Sequence, residues 1–363
     1  MTPTQLSPTS RVAANLSEAS HPNEATTGEH TKEFAPPQFA ANEICTPWLL
    51  FDDRANALVV SPASHYMVAT MLGDGRQKLA SGLNPELRNL PPGFSYQTVL
   101  AFGQGINRTW DLWGRAVLRL AGAKRPGQDA DVVLKYLGYW TDNGASYYYN
   151  YDPERGYAGT LKALVERYRA EQIPLHYLQL DSWWYCKSTT GADGKPGPAK
   201  KVEKLPEGEW NRYGGTLQYC MPYACYFLQG CRYPNLTTIR TSTERFGPSR
   251  WNDFLYTSRL ASALGLWPWS DVYNSSERNN VMLSTLSAGP VGVGDAIGAE
   301  TKTNLVRAVR EDGVIVKPDA PIVPTDSTYL ADARNLNAPT GVSPTDDRSP
   351  LQGSGAPLAP RPL

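Results

Sequence analysis

The sequence predicts an α/β fold, an incomplete TIM (β/α)8-type barrel that follows a partial antiparallel β-layer. One observation behind this prediction is a β-α-β unit, in which two apolar, strand-like runs at 132–139 and 175–180 flank a helix. The helix is indicated by apolar residues at helical spacing, namely Leu161, Leu164, Val165 and Tyr168. The other observation is that strand-like and helical segments alternate again after residue 216, although they are too few for the eight strands of a closed barrel.

The chain before the barrel is expected to have two parts. Residues 1–37 are rich in Ser, Thr, Pro, Ala and Glu and hold little apolar material to bury, so we expect them to be disordered. Residues 38–130 contain short apolar runs, such as PWLLF, NALVV and TVLAF, separated by Gly, Pro, Asn and Asp. This pattern predicts the strands of a partial β-sandwich-like layer, followed by a linker into the barrel.

The barrel is assigned to residues 131–332, and a polar stretch at 188–215 interrupts it. That stretch lacks hydrophobic periodicity and carries Gly, Pro and Lys throughout, which predicts a loop. After the loop, the pattern predicts strands at 217–223, 236–244, 266–273 and 291–298 and helices at 251–264, 279–287 and 303–310. Residues 333–363 predict a disordered tail that is rich in Pro, Gly, Ser and Asp.

The composition argues against several classes of partner and cofactor. Lys plus Arg equals Asp plus Glu, at 35 each, and no basic run is present, so nucleic acid is not an expected partner. No segment approaches the roughly 18 apolar residues of a membrane span, and the N-terminus does not resemble a signal peptide, so we expect a soluble chain and no membrane partner. The cysteines and histidines show no metal-ligand spacing, and the glycines near residue 294 form no dinucleotide motif. We therefore expect no metal and no cofactor, and the composition does not indicate the oligomeric state or the compartment.

Polar and aromatic side chains follow the predicted barrel strands. Asp142 follows the first strand, and Asp181 and Trp184 follow the second. Further acids lie at the ends of the later predicted strands, namely Glu244, Asp271 and Asp295. Because catalytic side chains of parallel α/β barrels come from the carboxyl ends of the strands, we expect these residues to face one shared pocket.

The same residues also fit purely structural roles. Asp142 and Asp181 could cap helices or accept hydrogen bonds from backbone N–H groups, and Glu244 could be solvated or paired with a neighbouring arginine. Trp267 and Trp269 could belong to the core. We nevertheless expect one of these two tryptophans to face the pocket, because they lie on either side of Pro268.

Several segments, taken in chain order, resemble the barrel of a known family. They are LGYWTDNGASYYY, YLQLDSWWYCK, LQYCM, NLTTIRTSTERF, SRLASALGLWPWSDVY, LSAGPVGVGDAIG and DGVIVKPDAPIVPTD. The family comprises glycosidases related to raffinose synthases and retaining α-galactosidases, of the seed imbibition protein type, and the similarity covers residues 47–332. It implies a carbohydrate partner, an α-galactoside or related glycoside, with hydrolysis or glycosyl transfer as the reaction and no cofactor.

The resemblance also assigns roles to individual residues. LDSWW resembles the strand-two D-x-x-W segment of α-galactosidases, which implies that Asp181 hydrogen-bonds sugar hydroxyls and that Trp184 packs on the sugar ring. IRTSTERF resembles a raffinose-synthase segment that supplies the acid/base, and this role falls on Glu244, while Thr243 stands where the pattern has another acid. The other expected sugar contacts lie at the remaining strand ends, namely Asp142, Trp267, Asp271 and Asp295.

The strand-four segment of the family has no counterpart in this sequence. In the relatives that segment carries the nucleophilic Asp, in a K-x-D or Y-E-Q-D-W context, but here the chain passes from LDSWWYCK through a polar loop into LQYCM, which corresponds to strand five. A retaining glycosidase needs two carboxylates about 5 to 5.5 Å apart. The resemblance therefore leaves two hypotheses: a glycosidase or glycosyl-transfer enzyme, or a catalytically inactive sugar-binding relative or truncated gene product.

Overall fold

A computed structural model describes most of the region that the sequence predicts to fold. The described residues are 11–13, 45–74, 78–181, 186–190, 196–204, 215–244, 246–333 and 342–344. The two segments expected to be disordered, 1–37 and 333–363, lie outside the described residues except for 11–13, 333 and 342–344. Two short pieces of these segments, Arg11–Ala13 and Val342–Pro344, each pair with another strand.

The N-terminal layer is an antiparallel sheet, as its apolar runs predict. Its elements are β1 (Arg11–Ala13), β2 (Trp48–Phe51), β3 (Asn56–Pro62), β4 (Ala69–Gly73), β5 (Leu79–Leu83) and β6 (Thr98–Gln104). The sheet has the order β1-β2-β3-β6, and β4 pairs with β5 in a separate hairpin. Along β6, Val99 and Ala101 are buried while Leu100 between them is 66% exposed, because successive side chains of a strand point to opposite faces.

The helix α1 (Ile106–Ala121) follows this sheet, where the sequence predicted only strands and a linker. Its apolar residues Trp110, Trp113 and Val117 recur at helical spacing and are buried. The first two backbone N–H groups of the helix donate to the carboxylate of Asp326, at 2.8 and 2.9 Å. This cap comes from a distant part of the chain, so the local sequence gave no start signal.

The second part of the chain alternates short strands with helices. Its elements are α2 (Val132–Lys135), β7 (Gly138–Trp140), α3 (Gly156–Ala170), β8 (Tyr177–Gln179), β9 (Cys186–Thr190), β10 (Pro196–Lys204), β11 (Leu217–Tyr219), α4 (Ala224–Gly230), β12 (Leu236–Arg240), α5 (Trp251–Ala263), β13 (Trp267–Trp269), α6 (Arg278–Leu286), β14 (Gly292–Val293), α7 (Lys302–Leu305), β15 (Ile322–Pro324), α8 (Asp326–Ala333) and β16 (Val342–Pro344). A short 3₁₀ helix, Pro248–Arg250, leads into α5.

Six of these strands run parallel to their neighbours. They form two three-stranded sheets, β11-β12-β13 and β14-β7-β8, and a parallel bridge between Tyr273 and Val293 links the first sheet to the second. The spatial order is thus β11-β12-β13-β14-β7-β8, with the last of the six in sequence, β14, beside the first, β7. At the two ends of this series, the side chain of Gln218 on β11 donates to that of Gln179 on β8 at 3.1 Å.

Several predicted boundaries need correction. The predicted strand 132–139 begins with the helix α2, because the side chain of Asp131 caps it by accepting a hydrogen bond from the N–H of Val133. The predicted helix 303–310 ends at Leu305, and the predicted loop 188–215 contains part of the antiparallel hairpin β9–β10. The predicted helix between the first two parallel strands is confirmed as α3.

Two large apolar clusters hold these elements together. The first packs α1, α4 and α5 against the N-terminal sheet, and Gly114 permits close contact there, since a Cβ at this position would lie 2.1 Å from the carbonyl oxygen of Ala263. The second packs α3 against β7 and β14 and includes the buried Tyr139 and Tyr168. Among the helices that the structure describes, none combines the length and the apolar character needed to cross a membrane.

Candidate active site

Three carboxyl groups and one guanidinium meet at the carboxyl ends of the parallel strands. Asp142 follows β7, Asp181 follows β8, Asp271 follows β13, and Arg240 is the last residue of β12. Asp142 interacts electrostatically with each of the other three. We call these four residues the acid cluster. Its members come from separate strands, and the parallel direction of the strands brings their ends to one edge.

The cluster is anchored by an ion pair that is almost completely enclosed. The Nη1 atom of Arg240 lies 3.6 Å from Oδ2 of Asp271, and the two side chains are 3% and 1% exposed. The backbone N–H of Asp271 donates to the hydroxyl of Ser242 at 2.7 Å, which fixes the chain as it leaves β13. The guanidinium keeps its charge at any accessible pH, so it offsets one negative charge of the cluster.

The protonation of Asp142 differs from that of an ordinary aspartate. Burial, followed by the nearby Asp271 and Asp181, raises its pKa from 3.8 to about 7. A hydrogen bond of 2.8 Å from the amide of Gln179 to its Oδ2 atom and the charge of Arg240 act in the opposite direction. The carboxyl group therefore exchanges its proton near neutral pH, which suits a general acid or base.

Glu244 lies at the same edge as the acid cluster. Its Oε2 atom accepts a hydrogen bond of 2.8 Å from the side-chain amide of Asn143, the residue that follows Asp142. Tyr148 interacts electrostatically with Glu244, Asp181 and Asp142 alike. The structure thus brings Glu244 to the acids that follow the first two parallel strands, while Arg245, a possible partner in the sequence, lies outside the described residues.

Asp295 occupies a different environment from the acid cluster. Both of its carboxylate oxygens accept hydrogen bonds of 3.0 Å from the backbone N–H of Ser275, and the hydroxyl of Ser275 adds a third. Burial raises its pKa to about 6, and the carboxylate that raises it further is Glu300. Asp295 therefore fixes the turn after β13, so this expected sugar contact has a structural explanation.

The two tryptophans of β13 are both buried but lie at opposite ends of the strand. Trp269 packs edge-to-face on Trp140, with ring centroids 5.7 Å apart, and the guanidinium of Arg240 lies 6.0 Å from its ring centre. Trp267 packs at the opposite end of the strand, where its Nε1 donates to the carbonyl of Pro126 at 2.9 Å. Residues i and i+2 of a strand share a face, so the two rings lie on the same face of the sheet and differ in their position along β13.

Of the two predicted aromatic contacts, Trp267 does not lie beside the acids. Trp267 is 2% exposed and belongs to a core cluster with Leu134 and Ala288, and Trp184 lies outside the described residues. Trp269 is the strand-β13 tryptophan that contacts the acid cluster.

The structure adds two residues to the site that the sequence reading did not single out. Tyr148 is near Asp181, and burial together with that carboxylate raises its pKa to about 12. Cys220 follows β11 and interacts with Arg240 and with all three acids of the cluster. Although the residue as a whole is exposed, burial of the thiol raises its pKa to about 12, so it stays protonated at neutral pH and is a poor nucleophile. Both residues follow parallel strands, Tyr148 after β7 and Cys220 directly after β11, and that position was the available signal.

A separate surface depression of about 470 Å³ lies beside α3. Its lining includes Tyr147, Asp152, Arg155, Glu166 and Arg167, and no member of the acid cluster. Three of its charged side chains are engaged in ion pairs, since Arg155 pairs with Asp152 and Arg167 pairs with Glu300. We place the chemistry at the acid cluster, because a carboxyl group that titrates near neutrality lies there.

The comparisons with known proteins add no family to this site. Neither the models of known protein families nor the curated proteins match the sequence. Within the described residues, no group of three His, Cys, Asp or Glu side chains is arranged to hold a metal ion. The argument for function therefore depends on the geometry of the acid cluster.

Proposed function

We propose that this chain is a carbohydrate-active enzyme of the α-galactosidase and raffinose-synthase type, acting on α-galactosides or related glycosides without a cofactor. The observation that carries the proposal is the convergence of Asp142, Asp181, Asp271 and Arg240 at the carboxyl ends of parallel strands. Carboxylates accept hydrogen bonds on two oxygens and a guanidinium donates several, so together they complement the hydroxyl groups around a sugar ring.

We further propose that the six parallel strands are an incomplete (β/α)8 barrel. The last strand, β14, pairs with the first, β7, as in a barrel that closes on itself, and two strands come before the hairpin β9–β10 while four come after it. The strands expected third and fourth would stand between β8 and β11. The missing strand four is the one that carries the nucleophile in the relatives.

The proposed roles follow from protonation and position. Asp181 binds sugar hydroxyls, Asp271 is held by Arg240 at the floor of the site, and Asp142 carries a proton near neutral pH. A glycosidase needs one carboxyl group that protonates the leaving oxygen and a second that is ionised. Environments that push the pKa values of neighbouring acids apart allow the two roles to fall on different carboxyl groups, and the pKa of Asp142 is raised to about 7. Glu244, which accepts a hydrogen bond from Asn143, is the proposed acid/base by resemblance, and beside a protonated Asp142 it would begin the reaction as the ionised base.

A second candidate is a sugar-binding protein without catalysis. The specific observation in its favour is that no K-x-D or Y-E-Q-D-W segment lies between LDSWWYCK and LQYCM. Without that Asp, the covalent intermediate of the retaining route has no nucleophile to form it. The hydroxyl-binding function of the acid cluster does not depend on the missing residue.

Calorimetry and turnover assays separate these candidates. We expect methyl α-galactoside to bind the wild-type protein, to lose most of its affinity with Asp181→Ala, and to bind normally with the control Asp319→Ala, which removes an exposed acid outside the cluster. Binding that Asp181→Ala leaves unchanged would disprove the site. Turnover of an aryl α-galactoside that Asp142→Asn abolishes supports the enzyme, and binding without any turnover supports the second candidate.

A further inference from the structure

Two glutamine side chains connect the strands β8 and β11 to the acid cluster. Gln179 is the last residue of β8 and Gln218 is the middle residue of β11, and each strand is the edge of its sheet among the strands that the structure describes. The amide nitrogen of Gln218 donates to the amide oxygen of Gln179 at 3.1 Å. The amide nitrogen of Gln179 donates to Oδ2 of Asp142 at 2.8 Å. We call this chain of hydrogen bonds, from Gln218 through Gln179 to Asp142, the amide relay.

The backbone around Gln179 is fixed by its neighbours on β7. Gln179 pairs in register with Trp140, and its carbonyl oxygen accepts a hydrogen bond of 3.0 Å from the N–H of Thr141. The hydroxyl of Thr141 accepts a hydrogen bond of 2.9 Å from the N–H of Asp181. The side-chain torsions of Gln179 remain to be set, and the terminal torsion of a glutamine has two orientations that exchange the amide nitrogen and oxygen.

These two orientations of the Gln179 amide favour opposite protonation states of Asp142. With its nitrogen towards Asp142 the amide donates and stabilises the carboxylate, whereas with its oxygen there it accepts and needs a protonated carboxyl group as donor. Gln218 selects between them, because it donates to the oxygen of Gln179 and so holds that oxygen away from Asp142. We propose that Gln179 is a positioning residue for Asp142 and that Gln218 acts through Gln179 by fixing the orientation of its amide.

The amide relay deepens the proposed function, on which its meaning for catalysis rests, since it identifies two residues that regulate the proton carried by Asp142. Other titratable and charged groups face Asp142 from the elements around it, and the test leaves them unchanged. They are Asp181, Asp271, Arg240, Tyr148, Tyr177 and Cys220. Burial raises the pKa of the Tyr148 and Tyr177 phenols and of the Cys220 thiol, so all three stay uncharged near neutral pH.

The test follows the carboxyl carbon of Asp142 by NMR in the full chain, labelled with isotopic aspartate and titrated across neutral pH. The resonance is assigned by its absence from Asp142→Asn. Gln179→Met keeps the length of the side chain but removes the donor, so it is expected to move the titration midpoint upward by about one pH unit. Gln218→Met frees the amide of Gln179 to take both orientations beside a protonated Asp142. Its midpoint is expected to rise by about 0.3 pH unit or more, the value for two equally populated orientations.

The double variant and a matched control separate the relay from a general disturbance of the site. Because Gln218 acts through Gln179, adding Gln218→Met to Gln179→Met is expected to move the midpoint no further than Gln179→Met alone. The control Gln229→Met lies on α4 and breaks a side-chain hydrogen bond of 2.7 Å to Tyr233. It is expected to leave the midpoint of Asp142 unchanged.

Two results would overturn the amide relay while leaving the proposed function intact. One is a pair of shifts that add in the double variant, and the other is a Gln218→Met midpoint equal to that of the wild type. If near-ultraviolet circular dichroism shows that Gln179→Met does not fold, the comparison of Gln218→Met with Gln229→Met decides alone. Calorimetry with methyl α-galactoside tests the proposed function separately. Absence of sugar binding by the wild type would overturn that function, and the expected shifts in midpoint would still support the relay to Asp142.

Discussion

Replacing Asp142 with Asn is expected to stabilise the folded chain above neutral pH. In the native state, burial of this carboxyl group and the nearby carboxylates of Asp271 and Asp181 raise its pKa from 3.8 to about 7. The folded state therefore binds more protons than the unfolded state between those two pH values. Stability is fully present below the unfolded pKa and falls as the pH rises through the folded pKa. An amide of the same shape has no proton to lose, so the variant escapes this fall.

The magnitude follows from the two pKa values. The difference between 3.8 and about 7 corresponds to roughly 4 kcal/mol of ionisation free energy. At about pH 4 the protonated acid and the amide are nearly isosteric, and the amide oxygen can still accept the hydrogen bond from Gln179. The free energy of unfolding of Asp142→Asn is therefore expected to equal that of the wild type near pH 4 and to exceed it by up to roughly 4 kcal/mol near pH 8.

Urea unfolding followed by tryptophan fluorescence measures this difference, because Trp140 and Trp269 lie beside the acid cluster. Asp295, whose pKa is raised to about 6, adds a similar pH dependence to both proteins and cancels in their difference. The control Asp319→Asn alters an exposed acid and is expected to follow the wild type at each pH. Identical pH profiles for the wild type and Asp142→Asn would refute the view that the carboxyl group of Asp142 is desolvated and lies close to other acids.

Three other predictions concern the ion pair, the packing and the sheet edges. Arg240→Leu leaves the carboxyl group of Asp271 buried without its ion pair and is expected to lower the free energy of unfolding by about 3 to 5 kcal/mol in urea. Replacing both Arg240 and Asp271 by Leu should recover most of that loss. Gly292→Ala places a Cβ 2.0 Å from the ring of Trp140 and is expected to lower the free energy of unfolding by about 1 to 3 kcal/mol or more. The control Gly127→Ala, with no atom near its Cβ, should be close to neutral. Equal effects of the two variants would contradict the packing around Gly292. β8 and β11 are edge strands of their sheets, so we expect concentration-dependent self-association in sedimentation velocity, and a soluble monomer with one sharp thermal transition would count against it.

Local patterns predicted those elements whose signals are contained within a few residues. The apolar spacing of Leu164 and Tyr168 predicted α3, and the alternating runs predicted the antiparallel pairing of β2, β3 and β6. The helix α1 was missed although its buried apolar residues recur at helical spacing, and its start had no local signal because the cap, Asp326, comes from more than two hundred residues away. The order of the parallel strands depends on pairing between β14 and β7, which no local pattern encodes.

The same distinction applies to the candidate site. Polar residues at strand ends pointed to Asp142, Asp181 and Asp271 because the parallel direction of neighbouring strands brings such ends together. The sequence could not separate Asp271 from Asp295, which also follows a strand, because the difference lies in the contacts of each carboxylate. The carboxylate of Asp271 pairs with Arg240, whereas that of Asp295 accepts a hydrogen bond from the backbone N–H of Ser275 in the turn after β13. Nor could it place Trp267 away from the acids, since that depends on which level of β13 each ring occupies.

The energetics of the acid cluster are themselves an argument for a ligand. A buried ion pair such as that of Arg240 and Asp271 contributes little net stability, because desolvation offsets its Coulombic attraction, and Asp142 destabilises the fold whenever it is ionised. Apolar residues of similar size would give a more stable strand edge, so these residues are better explained by a function than by folding. A polar ligand that supplies hydrogen-bond donors to the carboxylates would lower that cost, which couples binding to the protonation of Asp142. If the site binds sugar, Asp142→Asn should therefore gain stability at high pH while the pH dependence of sugar affinity disappears. A gain in stability without any change in the pH dependence of sugar affinity would show that Asp142 is destabilising but takes no part in binding the sugar.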